Sequence, residues 1–313
     1  MFTPLALALD SLVEGQLNDW ELARENYSGL QNVKVKAISF KGYEILVQFN
    51  PKRIISSAAK VDVQSVSDRP CFLCSHNRPL QQQGIAYKKD FVMLVNPYPV
   101  FQRHLTIPSV QHLPQRIHHR VGIMLQLAKD LPPFSLIYNG PKCGASAPDH
   151  FHFQAIPRGV MPIENDFSAK KNCLFQLNLN GIEIFTWDNY LRKMITIWGS
   201  DQVALEGLFG KLYGLLAAAL PSDDEPMMNI LTGYNQGNWV IHVFPRKQHR
   251  PRQYFASGDK KFILSPASID MGGVLIMPRE EDFNKITKEE ITDIYKQVCV
   301  DDVFIHYLLQ RLI

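Results

Sequence analysis

Apolar positions open the chain at helical spacing. Leu5, Leu9, Leu12, Val13, Leu17 and Trp20 form one stripe, which predicts helix within residues 4–30. The period then changes to two. Val33–Ala37 and Tyr43–Phe49 alternate around Lys41-Gly42 and read as a hairpin. Phe91–Val95, Leu105–Pro108 and Phe134–Tyr138 read as strands. Residues 111–129 read as a helix with Ile117, Val121, Met124 and Leu125 inward. Further on, Phe185–Trp198 and Val203–Leu220 read as helical, and Pro221–Pro226 as an acidic, turn-rich break. Met228–Gly233, Trp239–Pro245 and Gly273–Met277 read as strands. Thr287–Val298 reads as a helix opened by a Thr287/Glu290 capping box, and 301–312 as a last helix. Strand–strand–helix units in both halves predict a duplicated α+β lobe: a helical segment over 1–30, a first lobe over 31–175 and a second over 176–313.

Composition narrows the picture. A chain of 313 residues with 46% hydrophobic content builds a packed core, and 20% charged residues with a net charge of +3 argue against disorder and against a dedicated polyanion binder. No extended basic stripe interleaved with aromatics points to nucleic acid. No uncharged stretch approaches the roughly 20 residues that span a bilayer. The start lacks the charge pattern of a signal peptide, and five cysteines do not form a disulfide scaffold, so the expected setting is the cytoplasm.

The stretch richest in chemistry is Pro148–Gln154. At the two-residue strand period His150, His152 and Gln154 share one face, while Phe151 and Phe153 turn to the core. Side-by-side imidazoles suit metal ligation or nucleophilic catalysis. Upstream, Asn139–Ala147 is a small-residue loop whose backbone can approach an anion. Cys71 and Cys74, at C-x-x-C spacing, are either half of a zinc site or a redox pair. Asn50–Lys60 carries three cations and two serines, read as phosphate contacts or a solvated strand edge. Arg246, Lys247, His249, Arg250 and Arg252 form an anion funnel or a solvated basic turn. His104, His118 and His119 have no partner at an informative spacing and read as surface or capping residues.

The set Cys71-x-x-Cys74, His112, Asn139 and His150-x-His152-x-Gln154 resembles the nucleotidyltransferase branch of the histidine-triad superfamily. That branch contains galactose-1-phosphate uridylyltransferases, diadenosine tetraphosphate phosphorylases and GDP-galactose phosphorylases. The run from Phe49 to Cys74 looks more narrowly like a bacterial family within it. The resemblance implies two histidine-triad-like lobes, each an antiparallel sheet covered by helices, the second degenerate.

It also implies roles. His152 matches the nucleophile that forms a covalent nucleotidyl-histidine, and Gln154 the residue replacing the third histidine of the hydrolases. Asn139 matches a phosphate contact and Asn96 a residue near the nucleoside; Arg53, Gly144 and Ser146 are expected to help hold the substrate, with Lys142 beside them. Cys71, Cys74, His112 and His150 match the four ligands of one structural zinc per chain. The implied substrate is a nucleoside diphosphate-sugar or dinucleoside polyphosphate, with phosphate or a sugar phosphate as acceptor. A silent nucleotide-binding module and a hydrolase are the rival readings, and a homodimer is a family expectation.

The departures are informative. Ala147 replaces a phosphate-binding serine of the uridylyltransferases. Phe244 replaces the second histidine of a second-lobe metal strand, leaving His242 alone, so no second metal is expected. The apolar Gly273–Pro278 strand lacks hexose-reading residues, which favours inorganic phosphate as acceptor.

Overall fold

The structure is a computed structural model that describes residues 3–54 and 63–312. Ile55–Lys60 of the basic, hydroxyl-containing run therefore lie outside the described residues.

Five strands come first in the long sheet: β3 (Gly84–Tyr87), β4 (Phe91–Val95), β5 (Leu105–Pro108), β6 (Phe134–Asn139) and β7 (His152–Pro157), with the helix Val121–Asp130 between β5 and β6. The same sequence of elements returns as β8 (Cys173–Leu179), β9 (Ile182–Trp187), β10 (Ile195–Gly199), the helix Gln202–Ala219, β11 (Met228–Asn235) and β12 (Asn238–Pro245). The two sets share one internal order. They meet edge to edge at β6 and β11, giving a ten-stranded antiparallel sheet ordered β3-β4-β5-β7-β6-β11-β12-β10-β9-β8. The fold is thus α+β with a repeated lobe, and the two lobes share a single continuous sheet.

Strand pleating splits the core in two. Phe151, Phe153, Leu136, Ile230 and Ile241 face one side, buried under the helices Val121–Asp130, Gln202–Ala219 and Asp302–Leu312. Ile137, Ile156, Leu231 and Phe244 face the other side. There a three-stranded sheet of β1 (Lys34–Phe40), β2 (Tyr43–Phe49) and β13 (Val274–Met277) supplies Tyr43, Ile45, Val47 and Leu275. The pairing of β13 with β2 is parallel, so a strand late in the chain closes a sheet begun near its start. Among the described residues no helix is long and apolar enough to cross a membrane.

Two helices read from the sequence are corrected. Phe185–Trp198 is not a helix but the end of β9, a turn and the start of β10. Trp187, Tyr190 and Met194 are all buried, and their spacing of three and four residues imitates a helical stripe. However, Asn189 turns the chain with φ +48°, and Ile195-Thr196-Ile197 is a β-branched run that favours a strand. The helix expected over 111–129 starts only at Val121, leaving 111–120 as the loop that carries His112 and Gln115. Likewise, β7 begins at His152, so His150 lies just before the strand.

Phe153 is fully buried between Phe91, Tyr138 and Phe151. Phe153→Ala is expected to cost about 3–5 kcal/mol of stability, read from the urea midpoint. A loss below about 1 kcal/mol would mean that this face of β7 is not a close-packed core.

Candidate active site and metal centre

The ladder between β6 and β7 ends at the pair Ile137–Gln154. Beyond it the strands part, and the loop 140–151 fills the space. The buried side chain of Gln115 stands in for the missing ladder: Oε1 accepts from His152 N–H at 2.7 Å, and Nε2 donates to the carbonyls of Asn139 (2.9 Å) and His152 (3.0 Å). Three backbone groups that would otherwise be buried without partners are satisfied by one amide.

His152 is 3% exposed and lines a cavity of about 700 Å³. Its Nδ1–H donates to the carbonyl of His150 at 2.9 Å, which leaves Nε2 as the lone-pair nitrogen. Burial pushes its pKa down to about 4, so the ring is neutral at pH 7.

Two amides flank it, each tied down by its oxygen. Val100 N–H donates to His104 Nδ1 at 3.2 Å, so His104 carries its proton on Nε2 and donates to Gln154 Oε1 at 2.7 Å. Gln154 lines the cavity with its NH₂ group left to donate. On the other side, Asn139 Oδ1 accepts from Asn229 Nδ2 (2.9 Å) and from Ser268 N–H (2.8 Å), and among the described residues the Asn139 NH₂ donates to none. Asn229 is itself oriented by Arg246. That fully buried guanidinium donates to Asn229 Oδ1 and to the carbonyls of Val298, Pro266, Gln248 and His249, using all five of its N–H groups.

The remaining residues read from the sequence divide clearly. Asn96, Arg53, Gly144 and Ser146 all line the same cavity. Arg53 donates to the carbonyl of Tyr98 at 2.5 Å, and burial lowers its pKa to about 10. Asn96 is fixed by Thr106 Oγ1 (3.0 Å) and Tyr98 N–H (2.9 Å). Gly144 adopts φ +95°, and an added Cβ would lie 2.5 Å from that of Ala267. Lys142 is not brought in; it pairs with Asp224 at 3.5 Å. The basic run after β12 also splits. Arg246 is an internal anchor, His249 and Arg250 line the cavity, and Arg252 pairs with Asp293 at 2.8 Å on the surface.

The four metal-type residues converge. Ligand atoms of Cys71, Cys74, His112 and His150 lie within 4.8 Å of one another. Cys71 Sγ is 3.3 Å and Cys74 Sγ 3.5 Å from His150 Nδ1, and Cys74 Sγ is 3.2 Å from His112 Nδ1. Bond lengths of about 2.3 Å to sulfur and 2.0 Å to nitrogen place the corners of a tetrahedral zinc site about 3.5 Å apart, so the set fits one such ion. Each ring's other nitrogen faces an oxygen: His150 Nε2 lies 2.8 Å from the carbonyl of Ser109, and His112 Nε2 lies 3.6 Å from Asp149 Oδ2. No disulfide forms between Cys71 and Cys74.

Residues 12–157 match a family model described as a domain of unknown function, DUF4922, and residues 174–308 match one described as the GDPGP1-like C-terminal domain. Yeast Ap4A phosphorylase Apa2 has a similar structure. Its complex with AMP gives a TM-score of 0.57 at 15% identity over 90% of this chain and 94% of that one. The complex with Ap4A gives 0.55 at 14% identity over 90% and 97%. The chain shares the fold of that phosphorylase. No curated protein matches it in sequence.

Sequence reasoning missed several residues around the cleft. His104, read as a surface or capping residue, is fully buried behind Gln154. Gln115, Asn229 and Ser268 carry no motif, and only the folded chain brings them to the cleft. Trp20 and Leu22 line the cavity, so the amino-terminal helical segment forms part of its wall as well as packing.

Burial lowers the His104 pKa from its ordinary 6.5 to about 3. Between those values the unfolded chain binds a proton that the folded chain refuses, so the contribution of His104 to stability is present above pH 6.5 and lost as pH falls. Wild type should therefore be more stable than the non-titrating His104→Gln at pH 7.5, with the gap shrinking from pH 6.5 towards 4. Urea midpoints across that range test this, and a gap that widens on acidification would refute it.

Proposed function

We propose that the protein is a nucleotidyltransferase or phosphorylase acting on a nucleoside diphosphate-sugar or dinucleoside polyphosphate through a nucleotidyl-His152 intermediate. The observation that carries this reading is the neutral His152 ring. Its Nδ1 is anchored to a carbonyl, and it sits beside two amides whose oxygens are already engaged. Such amides can only offer N–H groups to the cleft, and N–H groups are what phosphate oxygens accept.

In the first step the Nε2 lone pair attacks the α-phosphorus and the bond to the bridging oxygen breaks. The leaving phosphate takes that electron pair as an anion and needs no proton. The imidazole becomes cationic, with its Nδ1–H shared with the His150 carbonyl. In the second step a phosphate oxygen of the acceptor attacks and the P–N bond breaks, restoring neutral His152. Asn139 and Gln154 donate to the non-bridging oxygens as they crowd in the transition state, and positioning supplies most of the rate. Gln154 cannot take a proton from water, which favours a phosphate acceptor over hydrolysis. Trp20, Leu73, Leu94 and Tyr98, on the cavity wall towards the first-lobe edge, suit a nucleoside, while His249 and Arg250 suit the departing or incoming phosphate. The likeness to an Ap4A phosphorylase with AMP or Ap4A bound and the match to a GDPGP1-like domain support this class of substrate.

Cys71, Cys74, His112 and His150 would hold a structural Zn²⁺, whose contribution is rigidity. Fixing His150 fixes the carbonyl that orients His152.

Protein incubated with α-³²P-labelled Ap4A or nucleoside diphosphate-sugars should retain acid-labile label. His152→Gly should lose the label and reduce turnover by at least about 10³-fold. Absence of label and of turnover with every nucleotide tried would leave the silent-module reading. Label that discharges to water equally fast with and without phosphate would establish the hydrolase. Metal analysis should find about one zinc per chain, lost in Cys71→Ser together with a lower melting temperature. Retention of metal and stability in that variant would remove the assignment.

A further inference from the structure

The second lobe has a cleft of its own. A cavity of about 420 Å³ lies over β10, β11 and β12 and is lined by His242, Trp198, Arg158 and Lys170. These strands correspond to β5, β6 and β7 in the repeated order, and the cavity opens on the same face of the sheet as the catalytic one. The register matches as well: Gln154 pairs with Thr106 of β5, and His242 pairs with Thr196 of β10. Two residues before Gln154 stands His152, and two residues before His242 stands Val240. The second cleft therefore has a polar side chain at the position of Gln154 and an aliphatic one at the position of the nucleophile.

His242 is 2% exposed, and its Nδ1 lies 2.8 Å from Thr196 Oγ1. Trp187 Nε1–H donates to the same hydroxyl oxygen at 2.8 Å. The Thr196 hydroxyl proton is then best spent on His242 Nδ1, which puts the imidazole proton on Nε2. That N–H has no partner among the described residues. That nitrogen is not sealed in the core, so it can donate to a molecule held in the cavity.

The surrounding charges favour an anion as that acceptor. Lys170 lies with its ammonium 4.0 Å from the Phe167 ring centroid and 4.1 Å from that of Phe185, which holds it at the rim. Arg158 is steadied by the carbonyl of Tyr234 at 2.9 Å. Glu164 also lines the cavity, but its oxygens are engaged by Ser135 Oγ and by the N–H groups of Gly159 and Met161. The half-buried indole of Trp198 adds a flat apolar wall. Two cations, one aimed N–H and an aromatic wall fit a phosphate attached to a planar ring.

We infer that the second-lobe cleft binds a nucleoside monophosphate-class ligand without transferring it, as an effector site separate from the catalytic cavity. The inference is independent of the chemistry at His152. A protein that never labels could still carry this site.

Equilibrium dialysis with radiolabelled AMP and GMP should count the same number of ligands per chain for wild type and for His152→Gly. It should find one fewer for Lys170→Glu and Arg158→Glu, which change residues on the cavity rim rather than in the core. Tryptophan fluorescence should show a saturable Trp198 component, absent in Trp198→Phe, whose midpoint rises at least about tenfold in Lys170→Glu, while dialysis counts as many ligands for Trp198→Phe as for wild type. No ligand bound by wild type, or the wild-type count persisting in both rim variants, would overturn the proposal. Saturation by inorganic phosphate with no added affinity for AMP or GMP would overturn the assignment of ligand class.

Discussion

The cleft rests on a break in a hydrogen-bond ladder. A buried antiparallel pair that stops pairing exposes backbone donors and acceptors where water is scarce, and each one left alone costs about 1–3 kcal/mol. Gln115 removes that penalty at the point where β6 leaves β7, because one amide bridges the amide and carbonyl of His152 and the carbonyl of Asn139. The strands can then stay apart by the width of a side chain while their ends remain registered. His152 and Asn139 face each other across a gap that a continuous sheet would close.

Around this gap the protein repeatedly fixes polar groups by their acceptors and leaves donors free. His104 takes the oxygen of Gln154, and Asn229 and Ser268 take the oxygen of Asn139. Behind Asn229, Arg246 spends its whole guanidinium on internal acceptors, so its charge is neutralised by dipoles and its role is geometric. This chain of contacts runs from β12 through β11 to β6. The second lobe, with Val240 where the first has its imidazole, thereby still orients a group in the first.

The contiguous chemistry was legible in the sequence, and the supporting shell was not. Cys71-x-x-Cys74 and His150-x-His152-x-Gln154 are local patterns; the fold gathers Cys71, Cys74, His112 and His150 into one cluster and sets Asn139, His152 and Gln154 on one cavity. His104 lacked a readable signal because its partner Gln154 is fifty residues away and meets it only through the β5–β7 register. Glu225, inside a stretch that reads as an acidic, turn-rich break, is buried against the Tyr138 hydroxyl and the N–H of Ile117. Its charge gave no hint of that, because burial is decided by elements more than eighty residues away. The false helix over 185–198 shows the reverse case, in which buried aromatics in a turn matched a helical period by coincidence of spacing.

The seam between the lobes is itself a β-ladder, with Asn229, Ile230, Leu231 and Thr232 paired to Asn139, Tyr138, Ile137 and Leu136. Many two-lobed enzymes join their halves by a linker and shut on the substrate like a jaw. Here a jaw motion would have to tear main-chain hydrogen bonds next to Asn139. The halves are built as a single plate, so the mouth has a fixed gauge. The cavity wall outside the plate comes from the amino-terminal helices and the loops around Phe72 and Arg250, so only there could the mouth change shape without breaking the sheet.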